Sequence, residues 1–270
     1  PSMDTLEGHA RRGNVVVFAG AGVSAGWPSA LPGWTALNAL IVDALCTRLE
    51  SALQRPGAFR ELRTRIDAQR SAARFPPEYQ AQIIEEMCGE RYFHALQALD
   101  IDVVNGAHDG IAALAKAGRL KAIVTTNFDR LVERALERRG VDYEIAIDDD
   151  GYARVREGGK LPVIKIHGCV SAHLSMIDTL KQRTRGRSRH LQDCLDPLHG
   201  AYWLYLGFSA ADLDGNPSYL GLRAGAARSP ALGRRADRGA VAADLSDHQL
   251  QHSCCRSVCL LHPLYEECSL

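Results

Sequence analysis

Four short segments carry side chains whose types and spacing suit work on a polar ligand: Gly20-Ala21-Gly22-Val23-Ser24, Thr125-Thr126-Asn127-Phe128-Asp129, Lys165-Ile166-His167-Gly168 and Gly207-Phe208-Ser209-Ala210-Ala211-Asp212. Closely spaced glycines let a backbone turn tightly and approach a pyrophosphate, whose charge free N–H groups then meet. The first segment departs from G-x-G-x-x-G, because Ala25 holds the sixth position and the next glycine is Gly26. A glycine turn also serves simply as a turn. Asn127 has two readings: the N-cap of a following helix, or an amide aimed at a sugar hydroxyl or a water, with Asp129 orienting the site. His167 titrates in the range where a side chain can take a proton from a hydroxyl or a water, although a histidine at a strand end also serves structure. Ser209 can reach the phosphate side of a sugar, or form a helix cap with Asp212.

The elements that must position these residues follow from local pattern. Asn14 to Ala19 (NVVVFA) reads as a buried parallel strand leading into the first glycine turn. Helical spacing of apolar residues runs from Trp34 to Glu50, and similar patterns cover Ala58 to Ala73 and Glu78 to Leu99. Ala107 to Ala117 reads as a further helix, Lys121 to Thr125 as a strand, and Phe128 to Arg139 as the helix after it. An edge pair is expected around Tyr143 to Val155, and strands at Pro162 to Ile166 and Tyr202 to Leu206. Strands alternating with helices, and polar or glycine residues just after strand ends, predict an α/β fold: a doubly wound, Rossmann-like parallel sheet with ligands along its carboxyl edge and a helical insertion after the first glycine-rich loop. The expected division is a main domain over 3–222, with the insertion at about 35–118, and a C-terminal segment over 223–270. Periodicity fades in that segment, and small residues and arginine dominate it.

Each motif alone is ambiguous, but the four stand at strand ends in the order GAGxS, TxNxD, HG and GxS, and in that joint pattern the chain resembles the sirtuin-like NAD-binding domains over roughly Val15 to Asp212. It is most similar to bacterial sirtuin-like domains with TTNFD, KxHG and GFSxxD forms. The resemblance implies that Gly20, Ala21, Gly22, Ser24, Thr126, Gly207, Ser209 and Asp212 contact NAD, and that Asn127, His167 and Asp129 carry catalysis. The implied activity is hydrolysis of the nicotinamide–ribose bond by an NAD glycohydrolase, with NAD as substrate and no metal required. It also implies an antiphage-defence effector that depletes NAD within a homo-oligomer or a larger assembly, with an ATPase or an Argonaute-type partner as options that nothing in the sequence selects. The alternatives are an NAD-dependent protein deacylase and a non-catalytic module that senses NAD or ADP-ribose. Against the deacylase, the stretch between HG and GxS holds only Cys169 and Cys194, where those enzymes carry two CxxC pairs for zinc. The proline-aromatic-arginine context of the deacylases is replaced here by Leu31-Pro32-Gly33-Trp34.

Composition sets outer limits. Lys plus Arg and Asp plus Glu balance at 32 each, so no global field draws the protein to nucleic acid or to a membrane surface. No apolar run approaches the roughly 18 residues of a membrane span, and a cytoplasmic location is expected. The run Arg183, Arg185, Arg187, Arg189 lacks interleaved aromatics and is read as a solvated helix end or loop. The cluster His252, Cys254, Cys255, Cys259, His262 and Cys268 matches no common zinc spacing.

Overall fold

The computed structural model describes residues 3–208 apart from 62, 66, 67, 69–75 and 157. The chain runs through α1 (Met3–Arg11), β1 (Val15–Ala19), α2 (Gly22–Ala25), α3 (Trp34–Ala52), α4 (Pro77–Cys88), α5 (Arg91–Ala95) and α6 (Gly106–Lys116). It continues through β2 (Leu120–Thr125), α7 (Leu131–Arg138), β3 (Tyr143–Ala146), α8 (Asp149–Val155), β4 (Leu161–Lys165), α9 (Leu180–Thr184), α10 (Arg189–Leu195) and β5 (Tyr202–Leu206). Two compact units result. Among the described residues, one takes 3–31, Leu99–Met176 and 186–208; the other takes those of Pro32–Ala98 and Ile177–Arg185.

The first unit is built on a five-stranded sheet in the order β3-β4-β2-β1-β5, and every pairing is parallel. Alternation along β1 explains its two layers, since successive strand side chains point to opposite faces. Val15, Val17 and Ala19 pack with Leu6 and Ala10 of α1, Ile111 and Leu114 of α6, and Leu131 and Leu136 of α7. Val16 and Phe18 pack with Tyr152 and Val155 of α8 and Leu191 and Leu195 of α10. Helices therefore cover both faces, and the fold is the doubly wound, Rossmann-like α/β class. Register aligns the carboxyl ends: Ala19 pairs with Thr125 and with Leu206, and Thr125 pairs with Lys165. Gly20, Thr126, Ile166 and Gly207 consequently leave the sheet at one edge.

In the second unit, α3, α4, α5 and α9 pack on one another. The Arg183 guanidinium lies 4.0 Å from the centre of the Trp34 ring, the Tyr92 hydroxyl donates to Asp178, and the Lys181 N–H donates to Gln82 at 3.0 Å. Arg183 is thus buried, and in the first unit Arg187 donates to the Ile166 carbonyl at 2.8 Å. Only Arg185 and Arg189 of the arginine run are exposed, which corrects the expectation of a solvated segment: an aromatic face and a strand-end carbonyl take two of the four cations.

Other expectations are also revised. The pattern read as one helix from Glu78 to Leu99 is broken at Gly89, where φ is +60°, and continues as α5. The second half of the expected edge pair is α8, started by Asp148, whose side chain accepts from the Gly151 N–H at 2.9 Å. α6, grouped with the insertion on sequence grounds, packs in the first unit beside α7. α1 was not anticipated; it contributes Leu6 and Ala10 to the core. The pattern over Ala58 to Ala73 lies in part outside the described residues, and the segment after 222, with its Cys and His cluster, lies wholly outside them.

Candidate active site at the carboxyl edge of the sheet

Strand order reverses between β1 and β5: from β1 the chain builds β2, β4 and β3 on one side, then returns to add β5 on the other. Such a reversal opens a crevice beyond the strand ends, where ligands of doubly wound sheets bind. Both glycine segments stand there. Gly20 N–H donates to the Leu206 carbonyl at 2.9 Å and Gly22 N–H to the Gly207 carbonyl at 2.8 Å. A Cβ at Gly20 would come within 2.6 Å of the Gly207 oxygen, and one at Gly22 within 2.8 Å of the Gly207 Cα. Gly207 itself has φ +59°, and a Cβ there would sit 2.3 Å from the Val23 nitrogen. The missing side chains, assigned on sequence grounds to an approaching pyrophosphate, are required by one backbone segment lying on another. Ala21, between them, is exposed.

Beside this junction lies a buried polar network drawn from several elements of the first unit. Ser24, in the turn after β1, is 1% exposed. Its Oγ donates to Asp129 Oδ2 at 2.9 Å, accepts from Asn127 Nδ2 at 3.2 Å, and lies 3.2 Å from His108 Nε2. The backbone N–H of Asn105 donates to His108 Nδ1 at 3.2 Å. That nitrogen is therefore an acceptor, and the neutral ring carries its proton on Nε2. Burial holds the imidazole uncharged, with its pKa lowered to about 4. Asn105 caps α6 and also donates to the Val23 and Gly26 carbonyls at 2.9 and 3.1 Å, so the first glycine turn and α6 are joined at this point.

Asn127 and Asp129 stand in the loop between β2 and α7. The Asp129 Oδ1 accepts from the Leu131 N–H at 3.0 Å. α7 starts at Leu131 rather than Phe128, with Arg130 at its N-cap position and no side-chain cap, so Asn127 does not cap it. Asn127 is held differently: its N–H donates to Thr125 Oγ1 at 3.0 Å, and its Nδ2 is on Ser24. Its Oδ1 is buried and has no hydrogen-bond partner, a rare condition that normally signals a ligand or a water. Thr126 donates its N–H to the Ala19 carbonyl at 3.3 Å.

His167 follows β4, which pairs with β2, so the histidine and the Asn127 loop share the same edge; the Ile166 N–H bonds to the Thr125 carbonyl at 2.9 Å. The His167 ring is 4% exposed, with its centre 6.1 Å from that of Phe128. Gly168 adopts φ +80°, and a Cβ there would meet the Ser175 carbonyl oxygen at 2.2 Å. Only glycine lets the chain turn away from the histidine there. Ser209 and Asp212 lie outside the described residues.

Beneath the site, Lys165 and Glu133 form an ion pair at 2.8 Å with exposures of 0% and 1%. Burial, the largest single influence, opposes the ammonium charge, but Glu133 together with Cys169 and Asp129 outweighs it, and the Lys165 pKa lies above its ordinary value. Lys165 also donates to the Asp129 carbonyl, and Tyr152 donates to the Lys165 carbonyl at 2.9 Å. Sequence reasoning singled out none of Asn105, His108, Glu133 and Tyr152, and quoted Lys165 only as part of KIHG. The available signals were a lysine within an apolar strand, and an Asn followed three residues later by a His at a helix start. No curated protein matches the chain. Residues 121–217 match the family model of the SIR2-like domain, a span holding the TTNFD, KIHG and GFSAAD segments, and this match supports the sirtuin-like reading of those three motifs.

Proposed function

We propose that this protein hydrolyses the nicotinamide–ribose bond of NAD, releasing nicotinamide and ADP-ribose. The observation that carries the reading is the Asn127 Oδ1, a buried acceptor without a partner beside the strand-order reversal. Leaving such an atom unpaired costs about 1–3 kcal/mol, which a donor brought by the ligand would recover. A ribose hydroxyl and the attacking water are both donors of the right kind. The SIR2-like match over 121–217 supports NAD as the molecule that brings the ribose.

The chemistry asks little of the protein in acid–base terms. Nicotinamide leaves as a neutral ring from a cationic pyridinium, so no general acid is needed. The tasks are to hold the ribose while oxocarbenium character develops at its anomeric carbon, and to place a water on the open side. In this reading Asn127 Oδ1 accepts from the water or from a ribose hydroxyl, and His167 takes the proton as the new C–O bond forms. Asp129 fixes the loop that carries Asn127. Gly20, Ala21, Gly22, Thr126 and Gly207 would line the cofactor, and Ser209 and Asp212 would extend that lining. The same reading carries the wider role: an effector of antiphage defence that depletes NAD, acting as a homo-oligomer or with a partner.

Incubating the full chain with NAD and separating the products by chromatography tests the proposal. Equal amounts of nicotinamide and ADP-ribose are expected. Binding of NAD without turnover would replace the enzyme by a sensing module, and turnover seen only with an acylated peptide would replace it by a deacylase.

A further inference from the structure

We infer that His108 is a positioning residue that, by filling one lone pair of the Ser24 hydroxyl, confines the Asn127 amide to the other and so holds its Oδ1 in one place. The inference rests on the NAD-cleaving reading for its kinetic consequence, but not for its geometry. A serine hydroxyl has one proton to give and two lone pairs to fill. The Ser24 proton goes to Asp129 Oδ2 at 2.9 Å. Its lone pairs meet Asn127 Nδ2 and His108 Nε2, each at 3.2 Å. Because the Asn105 N–H occupies His108 Nδ1, the ring must present Nε2–H to the serine. Every bonding direction of Ser24 is then used by the protein. The hydroxyl proton is committed to Asp129, so Ser24 offers the Asn127 amide only an acceptor. The NH2 end must turn to Ser24, which leaves Oδ1 as the unpaired atom.

Two consequences separate this arrangement from its neighbours. Ser24 is not a nucleophile activated by His108, since an imidazole protonated on Nε2 cannot take the serine proton. A cofactor resting on Ser24 would meet a hydroxyl whose hydrogen-bonding directions are already used by the protein. With His108 removed the Ser24 proton stays on Asp129 and the amide keeps its NH2 on Ser24, but the open lone pair lets Nδ2 shift between two acceptor directions, and Oδ1 loses its fixed position.

The test has a spectroscopic arm and a kinetic arm, both on the full chain. Nitrogen-15 spectra of the imidazole should show His108 protonated on Nε2, and His108→Leu should shift the Asn127 side-chain amide resonances. With NAD, His108→Leu should lower kcat about tenfold, the scale of one lost hydrogen bond, while KM changes far less. In an Asn127→Ala background the same change should cost nothing further, because there is no amide left to orient. A His108 proton on Nδ1, unmoved Asn127 resonances, or additive losses in the double variant would each overturn the inference. If His108→Leu does not fold, Ser24→Ala and the wild-type spectra decide it. Absence of NAD turnover by the wild type would instead refute the enzymatic reading, leaving the spectra to judge the positioning.

Discussion

Replacing Asn127 by alanine removes the unpaired buried oxygen together with an amide donor to Ser24, but takes away no core apolar surface. The variant should stay folded and cleave NAD at least about a hundredfold more slowly, the scale of a positioned acid–base group. His167→Ala should lose as much. Initial rates at saturating NAD check both, and wild-type turnover in either would show that the residue stands outside the chemistry. His108 makes a prediction about pH. Its pKa of about 4 lies below the ordinary 6.5, so the unfolded chain takes the proton first. The stability it contributes is complete above pH 6.5 and is lost as pH falls toward 4, with a slope approaching about 1.4 kcal/mol per pH unit. Urea unfolding of wild type and His108→Gln across this interval should show a steeper acid loss in the wild type. Parallel curves would mean that folding does not shift the pKa of the ring.

At the scale of elements, the Lys165–Glu133 pair joins β4 to α7, and the junction of Gly20 and Gly22 with Gly207 joins β1 to β5. Lys165→Met leaves a buried carboxylate without its partner and should destabilise by about 3–5 kcal/mol, whereas adding Glu133→Leu should recover most of the loss. Denaturant unfolding of the single and double variants measures this; a single variant as stable as wild type would place the pair in solvent. Gly207→Ala meets two obstacles, the positive φ and the Val23 nitrogen 2.3 Å from the new Cβ. A loss of about 2 kcal/mol or more is expected, together with weakened NAD cleavage. Gly89→Ala provides the control: φ is +60°, but nothing lies within 4 Å of the added carbon. It should cost only the backbone term of about 1–3 kcal/mol and leave cleavage unchanged. Equal effects of the two on cleavage would show that the junction has no part in the site.

For the whole molecule, a ligand that binds only the folded state raises stability in proportion to its occupancy. ADP-ribose at about a hundred times its Kd should add about 2.7 kcal/mol, read as a rise in melting temperature. The rise should shrink in Gly207→Ala, whose crevice is displaced, and persist in Gly89→Ala. No rise in the wild type would count against an ADP-ribose site anywhere in the chain. The charge balance of 32 against 32 provides no long-range field, so recognition must come from local groups such as backbone N–H donors and the Asn127 acceptor.

How much of this was written in the chain follows from the range of each interaction. Strands β1, β2, β4 and β5 were visible because a buried parallel strand is a short apolar run, and the motifs were visible because they stand at the ends of those runs. The sequence alone also determined that the four polar segments leave the sheet at its carboxyl edge, since all four follow strands. It could not order the strands, and therefore could not show that Gly20 and Gly22 lie on Gly207, almost 190 positions away. Nor could it show whether Asn127 caps the next helix: only the start of α7 at Leu131, with Arg130 as its N-cap, leaves Asn127 clear of the helix end and puts Asp129 on the Leu131 N–H. Nothing in the local pattern of α6 and α7 marks His108 and Glu133 as inward-facing. They face inward because the partners that satisfy them, Ser24 and Lys165, arrive from strand ends far away in sequence. Burying a polar group is tolerable only when such a partner is present, and that presence is a property of the assembled sheet, which no local window contains.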